Sequence, residues 1–316
     1  MTPLRVASLV EGRLAGSSMR ARPGPFSFRG GGAIAIASAI LVAGMITPAL
    51  GAPAATTLAC ALLLVVGLPH GALDIATLRR VAPTAQLSVV AAYLGAAAVM
   101  FTIWWTSPLA GLAMFYAVSV VHFGDDWRQG LDPFFGRAIA LAVLSAPAVL
   151  HGKVLAGLFV VLTRDPRAAV LVDLLMLAAP VAICVAVVGL ATMASTQRAV
   201  EGLCALLAML ALPPVIGFAV FFCLFHSPRH FREDWAMLGP NVDSATSLRV
   251  AAMTLAGFGI AAIVYATTAS NDLSASVFAT SMMTLSVLTV PHMLLQRIVE
   301  LGNGLVRSRQ SEPFAA

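Results

Sequence analysis

Histidine is the residue type in this chain whose chemistry and spacing point to a functional centre. His70, His122, His226 and His292 lie within or at the ends of long apolar segments, and His230 follows His226 by four residues. An imidazole is costly to hold in lipid without a partner, and several neutral imidazoles that converge form a metal site. The HxxxH spacing of His226 and His230 sets two rings on one helical face, as paired metal ligands require. Ser227-Pro228 reads as an N-cap followed by the first helical residue, leaving His226 just before the helix. Either geometry lets both rings meet.

An all-imidazole donor set suits iron, copper, zinc or nickel. Four neutral ligands leave the cation's charge uncompensated and coordination positions open, an arrangement suited to O2 binding at Fe(II). Asp74 follows His70 by four residues and Asp125 follows His122 by three. A carboxylate at such a spacing can accept the second ring N–H of a ligating histidine and fix its tautomer. His292, in Pro291-His292-Met293, is a candidate supporting or substrate-pocket residue. His151 lies beside Pro147, Gly152 and the lone lysine, Lys153, and reads as structural.

The elements that position these residues are transmembrane helices. The chain is 316 residues long, 59% hydrophobic and only 10% charged, with mean hydropathy +0.92. Soluble domains carry roughly 25% charged residues, so this composition belongs in a bilayer. The net charge of +5 is almost all arginine and serves as a topology signal rather than a nucleic-acid signal. The four cysteines (Cys60, Cys184, Cys204 and Cys223) show no zinc or disulfide spacing.

Apolar segments run over about 33–50, 54–73, 86–105, 108–124, 138–162, 169–194, 200–226, 248–269 and 275–298, most of them near the roughly 20 residues of a spanning helix. Arginines in the connections fit a cytoplasmic N-terminus and four alternating spans. Strict alternation of all nine segments then puts Arg229, Arg232 and the arginine-bearing C-terminus outside. It also makes three crossings between His122 and His226, which forbids a shared site. If segment 138–162 enters and leaves on one side, both conflicts vanish. The expected fold is an all-α polytopic bundle of about eight spans plus one broken or re-entrant segment. It divides into a basic cytoplasmic arm (1–32), a helical catalytic domain (33–300) and a short cytoplasmic tail (301–316), in the cell membrane. The long basic arm argues for an uncleaved first span rather than a signal peptide cut near Ala52-Pro53-Ala54.

The runs PHGALD (69–74), HFGDD (122–126), HSPRH (226–230) and PHM (291–293) resemble the Brp/Blh family, microbial integral-membrane β-carotene 15,15′-dioxygenases. The resemblance covers roughly residues 55–300. It implies cleavage of the central double bond of β-carotene by O2 to two molecules of retinal, and four iron(II) ligands at His70, His122, His226 and His230. Retinal as product also suggests a functional link to a retinal-binding rhodopsin. A substrate this apolar can enter a membrane-embedded site laterally from lipid.

Other classes fit some of the same residues. A histidine-lined transporter predicts ion flux and no bound iron. A b-type haem protein predicts a Soret band. A retinal photoreceptor needs a Schiff-base lysine in a late span, whereas the single lysine is Lys153.

Overall fold

The computed structural model describes residues 31–81, 86–128, 131–238 and 242–311. The basic arm expected over 1–32 therefore lies almost wholly outside the described residues. The described chain is helical, with no strand. Its helices are α1 (Gly31–Leu50), α2 (Ala52–Val81), α3 (Gln86–Thr106), α4 (Pro108–Gly124), α5 (Pro133–Thr163), α6 (Ala169–Thr192), α7 (Thr196–Ala211), α8 (Pro214–Phe221), α9 (Ser227–Leu238), α10 (Ser244–Thr268) and α11 (Leu273–Ser311). A 3-10 turn, Asp125–Trp127, extends α4, and a π-turn, Phe222–His226, joins α8 to α9.

Local chemistry sets several boundaries. Asp132, Ser195 and Asp243 accept N-cap hydrogen bonds from Phe134, Arg198 and Thr246 backbone N–H groups, satisfying donors that a helix start leaves open. Pro108, Pro133 and Pro214 stand in first turns, where a missing N–H has no cost. Six helices are long and apolar enough to cross a membrane, and Ser38–Leu50 and Val90–Thr106 are shorter apolar helices. Large apolar side chains face outward: Leu177 is 78% exposed and Met45 73%. That pattern suits lipid and makes this a multi-pass membrane protein.

Segment 138–162 differs from its expected path. The helix is broken at His151 (φ −123°, ψ 24°), beside the Pro147 and Gly152 that suggested a disruption. It does not turn back. A Cβ on Gly189 of α6 would lie 2.9 Å from the Phe135 ring, and one on Gly152 would lie 4.0 Å from Val172. Both pairings fit a single antiparallel register of α5 on α6, so α5 crosses in one direction.

The segment that returns is 200–226. The sequence reads as one span, but Leu212 and Pro213 are extended and separate α7 from α8. At 16 residues, α7 is about 24 Å long, short of the roughly 30 Å hydrocarbon core. Past the break α8 packs back along it: a Cβ on Gly217 would meet the Ala208 carbonyl oxygen at 2.9 Å and Met209 Cα at 3.2 Å. At the open end, Arg198 and Glu201 of α7 reach Asp126 and Arg229. The hairpin thus begins and ends at the depth of Asp126. It leaves the two crossings, α5 and α6, between His122 and His226. The even count holds, and 138–162 is broken as expected, but the segment that turns back is 200–226, at Pro213.

Because the atoms facing Gly217 are backbone, a side chain there forces the hairpin apart. Gly217→Val is expected to destabilise by about 1–3 kcal/mol, read as a lower thermal midpoint in detergent. Gly259→Val on α10, where an added Cβ meets nothing within 4 Å, is expected to leave the midpoint unchanged.

Candidate metal centre

The last turns of α4 and the π-turn leading into α9 bring the histidines together. His122 Nε2 and His226 Nε2 are 3.1 Å apart. The His226 and His230 ring centroids are 4.6 Å apart, and His292 of α11 lies 5.0 Å from His122. All four rings are buried.

The π-turn explains how HSPRH works without the expected break. Pro228 lacks an N–H, and inside an α-helix its ring would collide with the carbonyl four residues back. The wider turn over Phe222–His226 relieves that clash. The chain runs on helically through Ser227 (φ −61°, ψ −43°), so Ser227 is not an N-cap. Its hydroxyl instead donates to the Val66 carbonyl of α2 at 3.1 Å, which ties α2 to this turn.

The carboxylate in the cluster is Asp126, not Asp125. Asp126 accepts from His226 Nδ1 at 3.0 Å and from His230 Nε2 at 2.8 Å. Its own carbonyl accepts from Arg229 at 2.9 Å. Asp125 turns outward and pairs with Arg128 at 3.6 Å. Asp126 follows His122 by four residues, and His230 follows His226 by the same step. Gln296, 3.3 Å from His230 Nδ1, follows His292 likewise. This one-turn spacing was the available signal for both residues that sequence reasoning missed. In the DD pair it had to be chosen over i+3.

With Asp126 as acceptor, His226 donates from Nδ1 and turns its Nε2 toward His122 Nε2. His122 Nδ1 has no hydrogen-bond partner among the described residues. Two nitrogens each about 2.0–2.1 Å from one cation stand about 2.9–3.4 Å apart for right-angled to tetrahedral coordination, so the 3.1 Å separation suits a shared metal. Asp126, His226 and His230 also offer ligand atoms within 4.8 Å of one another. The cluster could hold a metal, with Asp126 fixing the His226 tautomer.

Arg229 locks the polar side. It bonds Glu201 at 2.8 Å and lies 5.0 Å over the Trp127 ring. On the other side an apolar cavity of 230 Å³ reaches the cluster, with Leu68, Tyr93, Phe222, Gly257, His122 and His292 in its wall. His292 thus stands in the cavity wall. His70 stands on α2 one turn past Val66, and Asp74 one turn further; the side chains of both lie outside the described residues. His151 sits at the break in α5, away from the cluster on the chain.

If Asp126 orients the imidazoles, Asp126→Asn puts an amide donor against one of two ring N–H groups. Metal affinity is expected to fall about 10–100-fold, read by elemental analysis after titration of the folded fraction, with a lower thermal midpoint of the metal-free protein because a buried charge network loses its carboxylate. Asp125→Asn is expected to bind metal as the parent does.

A family model described as beta-carotene 15,15′-dioxygenase matches residues 61–300. A beta-carotene 15,15′-dioxygenase of uncultured marine bacterium 66A03 is 29% identical over 259 residues, spanning 75% of this chain and 91% of that protein. No solved structure matches the chain.

Proposed function

The chain belongs to the β-carotene 15,15′-dioxygenase family, and from that premise we propose that it cleaves the central double bond of β-carotene with O2 to give two all-trans-retinal. The C=C bond is replaced by two C=O bonds, and both oxygen atoms of one O2 balance the products. The observation that carries this reading is the buried His122–His226–His230–Asp126 cluster at the wall of an apolar cavity. An apolar polyene needs such walls for binding, and oxygen chemistry needs a metal beside them.

The proposed ligands of Fe(2+) are His70, His122, His226 and His230. Iron bound there would supply O2 activation next to the polyene. The chain's own residues do the rest. Asp126 holds His226 in one tautomer, and Arg229 holds Asp126 through its backbone carbonyl. Phe123 and Phe222, at 4.7 and 5.2 Å from the His226 ring centroid, keep water from the imidazoles. His292 borders both cavity and cluster, where it can position substrate. The arginine pattern supports a cell-membrane location with a cytoplasmic N-terminus.

Expression in β-carotene-producing cells tests the reading. Loss of orange pigment with accumulation of retinal is expected; retained pigment and no retinal despite good membrane expression would overturn it. Alanine at His122, His226 or His230 is expected to lower retinal formation at least about a hundredfold, with His151→Ala near the parent level. Chelation is expected to abolish activity in purified protein, and Fe(2+) but not Zn(2+) to restore it.

A further inference from the structure

A second cavity lies behind the first, and nothing in the cleavage reading uses it. It measures 60 Å³ and is walled by Leu112, Tyr116 and Ser119 of α4, Pro147 of α5, Val215 of α8 and Met282 of α11, among others. Phe115 and Phe218 border both cavities, so the two meet at that aromatic pair.

The path from this chamber to the histidines is written along two helices. On α4 the chamber residues Leu112, Phe115 and Ser119 continue in steps of three and four to His122. On α11 Phe278 and Met282 continue through Leu285 and Thr289 to His292. Steps of three and four keep residues on one helical face, so each stripe joins the chamber to the metal cluster. Ser119 stands one turn, about 5 Å, from His122.

Size and polarity select the occupant. An apolar cavity of about 150 Å³ takes benzene or xenon; 60 Å³ is too small for a carotenoid end ring. A buried water makes roughly three hydrogen bonds. Among the described residues, Ser119 and Tyr116 are the polar side chains that line the chamber, and Ser119 Oγ has no hydrogen-bond partner. A void of this size with walls this apolar suits a small apolar gas.

We propose that this chamber holds O2 and delivers it past Phe115 and Phe218 to the substrate cavity beside His122. The proposal rests on the cleavage reading for its co-substrate. O2 thus arrives from behind the polyene rather than through the cavity the polyene fills.

Xenon is the probe for the chamber itself. Full-length, metal-free protein equilibrated under xenon is expected to show one bound atom walled by Leu112, Val215 and Met282, by crystallography or xenon NMR; no xenon there overturns the proposal however any variant folds. Val215→Phe and Met282→Trp fill the chamber. Each is expected to raise KM for O2 about tenfold, the scale of a steric change in an apolar pocket, with KM for β-carotene unchanged and kcat recovered at high oxygen. An active filled variant with parental oxygen dependence, or with a raised KM for β-carotene alone, overturns it. The two readings fail separately: a parent protein that makes no retinal sinks cleavage, whereas unchanged oxygen dependence in an active variant sinks only the gas path.

Discussion

The buried carboxylate of Asp126 is the constraint from which the rest of the site follows. An ion taken out of water into a protein interior costs several kcal/mol unless hydrogen bonds and opposite charge offset it. Asp126 has both. Its two oxygens accept from His226 and His230, and Arg229 lies 4.0 Å away. Satisfying one side chain therefore recruits the end of α4, the π-turn and the first turn of α9. Arg229 in turn needs Glu201, which recruits α7. Four chain segments are fixed relative to one another by one charge, and the imidazoles that converge there are held in defined tautomers.

That requirement reaches back into the topology. For Asp126 to meet His226, the intervening chain must return to the depth it left. α5 and α6 do so as an antiparallel pair. The next segment carries Arg198 and Glu201 at its start and His226 and Arg229 at its end, and all four meet Asp126 or its immediate partners. It can only go in and come out. A helix of 16 residues, an extended Leu212-Pro213 and a glycine that lets α8 lie on the α7 backbone are the local means to that end.

Much of this was legible in the sequence because histidine in lipid is conspicuous and arginine counts report sidedness. A shared histidine site needs an even number of crossings between His122 and His226, and the arginine counts point independently to a chain path that has one. Those counts do not locate the returning segment. Pro147, Gly152 and Lys153 made 138–162 look like the segment that returns, yet the chain kinks at His151 and continues across in the same direction. From Gly202 to Phe225 the run is uniformly apolar, so hydropathy cannot reveal that Pro213 and Pro214 end one helix and start another. The i+4 spacing favours Asp126, but i+3 lies within the same turn and fits Asp125 as well. Burial decides between them, and burial depends on where Arg198 and Arg229 arrive from distant parts of the chain. The N-cap reading of Ser227-Pro228 failed for a related reason: local propensity favoured a new helix, but a π-turn accommodates the proline at no cost in continuity.

The site lies on a seam between two environments, and its chemistry depends on both. Toward the helix ends stand Arg198, Glu201, Arg229, Arg232 and Glu233, lining a polar hollow. Toward the bundle interior stand phenylalanines and the apolar cavity. A histidine–carboxylate cluster wholly in the apolar region would leave Asp126 without cationic support. One wholly in the polar region would be wet and would not border the apolar cavity. The turn from α4 into Asp125–Trp127 spans the seam within one helical turn: His122 faces the cavity and Asp126, four residues on, faces the arginines. The spacing of the HFGDD run lets a single helix end present an imidazole to the apolar cavity while the carboxylate four residues on stays electrostatically anchored.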